Sequence, residues 1–412
     1  MKKILFTLVS VFCLNAYGQR TCGTVDKANV KFSENSLAQA NRESLKNFLR
    51  NNNYKEGKRA GVITIPVVVH VIYKNTTQNI SDAQIQSQLT VLNNDFRKLN
   101  ADFNTVVPSA FKPNASDMEL AFCLATKKPD GTATTGIERK SVASGFNFDN
   151  NYYKTSGLVA WDPTKYLNIW VGAFTNQNYL GWAYPPDFAG DPDDGLCIGY
   201  QYFGTTGTVV SPYNKGRTAT HEIGHYFGLN HIWGDSNDNT VCGTAINNDG
   251  CADTPATDEP YFGKPTFPNN DYTCTTTANG AMFMNYMDYV DDAAMAMFSN
   301  DQKTIAQNTM AGPRASLLNS NACSSTMGVD DVEKSNSINV FPNPAVNYIS
   351  IASPLVKINE VEIFGNDGRL VKKANIKNET DKIDVKSFPA GTYYVRTYDN
   401  GNFIKSMKFI KH

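Results

Sequence analysis

Apolar residues cluster differently along the chain, and their spacing predicts most of its elements. Val62 to Tyr73 (VITIPVVVHVIY) is dense in β-branched residues and predicts a buried strand. Within it, His70 reads as a packed strand residue. Ser81 and Asp82 then cap a helix in which Ile85, Leu89, Leu92, Phe96 and Leu99 recur at intervals of three and four. Met118 to Leu124 predicts a second strand, Tyr166 to Phe174 a third and Gly195 to Phe203 a fifth. The fourth, Leu180 to Tyr184, is short and ends in Pro185-Pro186, which suits an edge. An edge strand of this kind can take up an extended peptide. Strand, helix, strand in this order implies a right-handed crossover and an α/β layer.

The pattern then weakens. From His231 to about Asp301 the chain is irregular, rich in Asn and Thr, with Asp235, Asp238, Asp249, Asp253 and Asp258. Disulfides and calcium are plausible substitutes for a core there, although most such carboxylates are simply solvated. Asn285 to Tyr289 interrupts with an apolar, aromatic turn. Met295, Met297 and Phe298 begin a last helix reaching roughly Leu318. Residues 324–337 read as a linker. Beyond them come short strands at Ile338 to Phe341, Tyr348 to Ile351, Val361 to Phe364, Arg369 to Lys373, Lys382 to Val385, Thr392 to Tyr398 and Phe403 to Ile410. Turns such as Asn366-Asp367-Gly368 separate them, and the stretch predicts a small all-β sandwich without a catalytic constellation.

The N-terminus changes the setting. Lys2 and Lys3, the apolar run Ile4 to Leu14 and Ala16-Tyr17-Gly18 form a signal peptide over residues 1–18. The run is too short for a membrane span, and no other stretch is long enough. Residues 19–58 hold few large apolar groups and one short helical pattern, Ser36 to Arg50. They end in the basic site Lys55 to Arg59, so they read as a pro-segment removed by proteolysis. The main domain is then expected at 59–323, and 338–412 forms the last. A net charge of −1 without long runs of either sign gives no electrostatic case for nucleic acid. Of eight cysteines Cys13 leaves with the signal, and an odd remainder implies at least one thiol with another task.

The chemistry concentrates in His221 to His231, HEIGHYFGLNH, which holds three of the five histidines. His221 and His225 are four apart, so a helix projects both imidazoles from one face toward one zinc ion. Glu222 stands where its carboxylate reaches a water on that ion. Gly228 ends the helix and lets the chain turn, and His231 returns as third ligand, leaving the fourth position to water. Met287 can form a floor under the imidazoles, and the Tyr289 hydroxyl can reach the oxyanion. In Arg20-Thr21-Cys22-Gly23, a Cys22 thiolate over the zinc would displace the water and hold the enzyme silent. A disulfide or an idle thiol is the other reading of Cys22.

With these residues in place, the chain from about 60 to 320 resembles the metzincin clan of zinc endopeptidases and, within it, the pappalysin family with its ulilysin-type members. The carrying features are HEIGHYFGLNH, Cys242, Asp253-Thr254-Pro255, Asn285-Tyr286-Met287-Asp288-Tyr289, and Asp291-Asp292 with Met295 and Phe298. The resemblance implies a mixed five-stranded twisted sheet, a zinc helix and an irregular C-terminal subdomain. It makes His221, His225 and His231 zinc ligands, Glu222 the general base and acid, Tyr289 the catalytic tyrosine and Met287 the Met-turn. It pairs Cys242 with Cys274, leaves the partner of Cys251 open because no cysteine stands near Ala294, and makes Asp253 a calcium candidate. Cleavage before Arg or Lys would draw on Asp291 or Asp292 as an acidic pocket, and a cut before Arg59 would make activation autocatalytic. Cys22 is similar to the cysteine switch of such zymogens. Val340 to Pro344, Val361 to Phe364, Gly368 and Pro389 to Val395 resemble the sorting domain of the bacterial type IX secretion machinery, which implies export. The expectation is a secreted, latent zinc endopeptidase. A zinc amidase on cell-wall peptides and a non-catalytic zinc-binding surface protein are the alternatives.

Overall fold

The computed structural model describes residues 21–51, 61–234, 242, 249–323, 337–354, 357–366, 369–378, 381–399 and 402–412. The signal peptide, the basic site before Arg59, Asp235 and Asp238, and nearly all of the linker lie outside them. The chain divides into two compact units, Met1–Ser325 and Thr326–His412.

The first unit is built on a twisted mixed sheet. Its strands are β1 (Ile63–Tyr73), β2 (Leu120–Leu124), β3 (Ile137–Ser141), β4 (Leu167–Gly172), β5 (Gly181–Ala183) and β6 (Leu196–Gly199). The order is β2-β1-β4-β6-β5, with β3 also on β1. Pairings are parallel except β5 with β6, so β5 is an antiparallel edge. The expected sheet thus gains a strand, β3. Its sequence IERKS has no apolar run, but β1 is eleven residues long and β2 covers only Ile63 to Val67, which leaves Val69 to Tyr73 to pair with β3. Residues 65–72 of β1 are buried, as a strand covered on both faces must be. His70 is fully buried and bonded to Glu138 and Asn168 at 3.0 and 2.9 Å, as a packed strand residue.

The helix Asp82–Phe96 covers the sheet, with Ile85, Leu89, Leu92 and Phe96 inward and the Ser81 hydroxyl accepting from the Gln84 N–H. Leu99 does not continue that stripe. Lys98 adopts φ 53°, which ends the helix, and Leu99 is 67% exposed. Glu119, at φ 57°, likewise delays the start of β2 to Leu120.

The N-terminal segment forms two helices, Thr24–Glu34 and Ser36–Asn51, where the periodicity predicts only the second. Ala28 and Phe32 are the buried apolar pair of the first, too few to register as a stripe. They pack on Tyr184 and Phe188, while Leu49 of the second presses against Gly228. The segment is held by the rest of the unit rather than by a core of its own. The last helix, Asn300–Ala311, begins with a capping box between Ser299 and Gln302.

Among the described residues there are two disulfides, Cys242–Cys274 as expected and Cys123–Cys323, while Cys22, Cys197 and Cys251 are buried thiols. No helix among the described residues is long and apolar enough to cross a membrane. The second unit contains two antiparallel sheets of three and four strands around Ile349, Ile351, Val361, Ile363, Val395 and Phe409, matching the small sandwich expected.

Candidate active site

Gly216, in the left-handed region at φ 75°, starts the helix Arg217–Tyr226, and every residue of that helix is buried. His221 and His225 project from one face with ring centroids 4.9 Å apart. Gly228, at φ 87°, turns the chain back. Its N–H donates to the His225 carbonyl, and the Leu229 N–H donates to that of Gly224. The turn carries His231 to 5.2 and 4.4 Å from the other two rings. The Nδ1 of His221 lies 2.7 Å from the Tyr286 carbonyl, and that of His225 lies 2.7 Å from the Leu229 carbonyl. Each Nδ1 therefore carries the proton, and each Nε2 presents a lone pair inward. The inward Nε2 atoms of His225 and His231 stand 3.1 Å apart.

The fourth member comes from the far end of the chain. Cys22 Sγ and one nitrogen from each histidine lie within 4.8 Å of one another, all buried. Three imidazoles and a thiol gathered this closely fit a tetrahedral metal centre, whose ligand atoms sit about 2.0–2.3 Å from the ion. Burial first, and the Glu222 carboxylate second, push the Cys22 thiol well above its ordinary range, which keeps it protonated as long as no cation stands at the histidines.

Main-chain bonds to the edge strand bring Cys22 there. Gly23 N–H donates to the Gly181 carbonyl at 2.8 Å, and Leu180 N–H to that of Thr21 at 3.0 Å, giving a parallel bridge. Gly181 must be glycine at this approach, because a Cβ would come within 2.9 Å of Glu222 Cγ. The Cys22 thiol donates to Glu222 Oε2 at 3.3 Å, and Thr24 Oγ1 donates to the same oxygen at 3.0 Å. Thr24 also accepts from the Ala183 N–H at 2.9 Å. The Tyr289 hydroxyl accepts from the Cys22 N–H at 3.2 Å. Glu222 and Tyr289 are thus both occupied by the N-terminal segment.

Met287 lies against the helix at Gly224, where an added Cβ would meet its sulfur at 2.3 Å. The turn that carries it is braced by Asn285 and Gln302, whose side-chain amides bond reciprocally at 2.9 and 3.1 Å. Two neighbours escaped the sequence reading. Trp233 stacks on His231 at 4.4 Å and 11° and meets Tyr289 edge-on. Arg217 forms ion pairs with Asp95 and Asp102, binding the helix start to the covering helix. Burial raises Asp95 to about 6 against the pull of Arg217. Neither residue stands in the eleven-residue motif, so its spacing could not reveal them.

Two of the candidate carboxylates meet helix N-termini. Asp292 is buried and its Oδ2 accepts from the Lys215 and Arg217 N–H groups at 2.8 and 3.3 Å. It caps the active-site helix, while its neighbour Asp291 is half-buried. Asp253 accepts from Ser299 Oγ, Asn300 N–H and Asp301 N–H at 2.7 to 3.1 Å. It serves the N-terminus of the last helix, an end that favours a carboxylate. Nearby Asp249 is buried and raised to about 7, chiefly by desolvation. Its folded value lies above the ordinary 3.8, so its contribution to stability is full below about pH 4 and is lost as pH rises to about 7. Asp249→Asn should therefore raise the melting temperature more at pH 8 than at pH 5. Melting curves at the two values check this; equal shifts would refute it.

Comparison with known proteins agrees with this geometry. A family model described as Pregnancy-associated plasma protein-A matches residues 151–311, and a secretion system C-terminal sorting domain matches 339–412. Mature mirolysin of Tannerella forsythia, solved in complex with a cleaved peptide, is 43% identical. The match covers 63% of this chain and 97% of that one, with a TM-score of 0.57. A promirolysin mutant from the same organism is 38% identical over 72% of this chain and 96% of its own, with a TM-score of 0.63. An extracellular metalloprotease of Arthroderma otae is 27% identical over 60% of this chain and 77% of its own. A metalloprotease implies a catalytic metal and peptide substrates, and the sorting domain implies type IX secretion. The chain belongs to the pappalysin family of metalloendopeptidases and is a secreted member that carries a type IX sorting domain.

Proposed function

We propose that the catalytic ion is zinc, held by His221, His225 and His231, and that the chain is made as a zymogen closed by Cys22. The observation that carries this reading is the convergence of Cys22 Sγ with three histidine nitrogens within 4.8 Å. A three-nitrogen, one-sulfur set in a compact centre suits zinc. On this reading residues 1–18 are the signal peptide, 19–58 the pro-segment, 59–323 the catalytic domain, 324–337 the linker and 338–412 the sorting domain.

Bound zinc would supply Lewis acidity to a water and to the substrate carbonyl. The chain's own residues do the rest. With the pro-segment gone, the β5 edge that bonds residues 21–23 is available to an extended peptide. Glu222 accepts a proton from the attacking water and returns it to the leaving amine. The Tyr289 hydroxyl, released from the Cys22 N–H, donates to the developing oxyanion. Met287 and Trp233 hold the helix and His231 in place. Specificity before Arg or Lys rests on Asp291 in this reading. Asp253 is the calcium candidate in this reading, with its oxygens also bonded to the start of the last helix.

The test is metal removal from the processed enzyme. A zinc-selective chelator should abolish peptide hydrolysis, and about one equivalent of zinc should restore it. Full hydrolysis by metal-free protein would overturn the assignment.

A further inference from the structure

Beyond the edge strand, the loop Tyr184 to Asp194 holds a second docking point for the N-terminal segment. Lys31 Nζ lies 2.7 Å from Asp191 Oδ2 and 2.6 Å from Asp193 Oδ1. The same ammonium stands over the rings of Tyr184 and Phe188, 4.2 and 4.8 Å from their centroids. Two carboxylates and two aromatic faces around one cation form the arrangement that recognises a basic side chain.

The pocket belongs to the enzyme and not to its occupant. Asp194 N–H donates to the Asp191 carbonyl, and Asp191 N–H to that of Phe188, so tight turns set the acidic pair. Buried Arg314 grips both Asp194 oxygens at 2.7 and 2.9 Å and donates to the Tyr184 carbonyl at 3.2 Å. One arginine thus fixes both the aromatic and the acidic wall. The loop therefore survives loss of the segment, while its two acidic side chains lose their cation.

We propose that, after removal of the segment, Tyr184, Phe188, Asp191 and Asp193 form a subsite for a lysine or arginine side chain of the substrate. The site lies past the C-terminal end of the edge strand. This inference rests on the peptidase reading above and adds to it where a second basic residue binds. Lys31 acts in the zymogen as a stand-in for that substrate residue.

The experiment uses the processed, zinc-loaded enzyme and fluorogenic peptides carrying lysine or norleucine at each position around the scissile bond. At one position removed from that bond, the parent should prefer lysine by roughly tenfold in kcat/KM. In Asp191→Asn/Asp193→Asn the ratio should fall to near one. Should that pair misfold, Asp191→Asn alone is informative, since its side chain is 39% exposed in the zymogen. A ratio unchanged by substitution would overturn the subsite. Calorimetry with a synthetic peptide of residues 21–34 gives a readout apart from turnover. Replacing Lys31 in it by norleucine, with Lys27 kept, should weaken binding about tenfold to the parent and not to the variant. Equal losses in both would also overturn the proposal. Absence of turnover on every peptide would instead refute the peptidase reading, with the calorimetry still deciding the pocket.

Discussion

Glu222→Gln should retain its zinc and lose peptide hydrolysis by about two to four orders of magnitude, the range a positioned acid–base group supplies. The argument is geometric. Glu222 stands outside the set of ligand atoms formed by Cys22 and the three histidines, so the amide leaves metal binding intact. Its Oε2 accepts from Thr24 Oγ1 at 3.0 Å, and a glutamine oxygen can accept the same bond, so docking of the N-terminal segment should persist. What the amide cannot do is take a proton from water and give it to the leaving amine. Metal analysis and kcat/KM on one peptide decide the matter together. Activity retained in a zinc-loaded variant would sink the assignment. If activation is autocatalytic, the same variant should also accumulate uncut.

Cys22→Ala should leave the full-length chain folded but poorly silenced, releasing activity roughly a hundredfold faster than the parent, in keeping with loss of one metal ligand. The thiol is buried and lies with the three histidine nitrogens within 4.8 Å, where it can take the fourth position on a metal. Removing it opens the fourth position without undoing the other attachments. Thr24 still bonds Glu222, Lys31 still pairs with Asp191 and Asp193, and Leu49 still accepts from Asn308 Nδ2 at 2.7 Å. The variant thus separates the lock on the metal from the packing of the two helices. Timed activity of purified full-length chains measures it. A variant as silent as the parent would place latency in the helices instead.

How far the chain could be read without coordinates follows from the distance over which each feature is encoded. The histidine constellation with its turn at Gly228 is written in eleven consecutive residues, because helical periodicity alone puts two ligands on one face and a positive-φ glycine returns the third. The main strands were legible for a similar reason: a buried parallel sheet demands continuous apolar runs, and β1 supplies one. By contrast β3 is polar and depends on pairing with the second half of β1. The helix Thr24–Glu34 depends on Tyr184 and Phe188, about 150 residues away. Asp292 and Asp253 read as pocket and calcium residues, yet both serve helix N-termini. An exposed-looking acidic residue in sequence carries no mark of which amide it will meet.

The histidine motif with its adjacent glutamate, the strand-rich framework that carries it, and the small strand-only unit at the end are encoded locally. Local periodicity and residue chemistry suffice for those. The fold adds the rest: Cys22 arrives at the histidines 200 residues away, Thr24 reaches Glu222, Tyr289 meets the Cys22 N–H, and Lys31 finds an acidic, aromatic pocket. The physical reason is that these contacts join surfaces whose apposition is set by burial and sheet pairing across the whole unit, and no short stretch of sequence contains both sides of any of them.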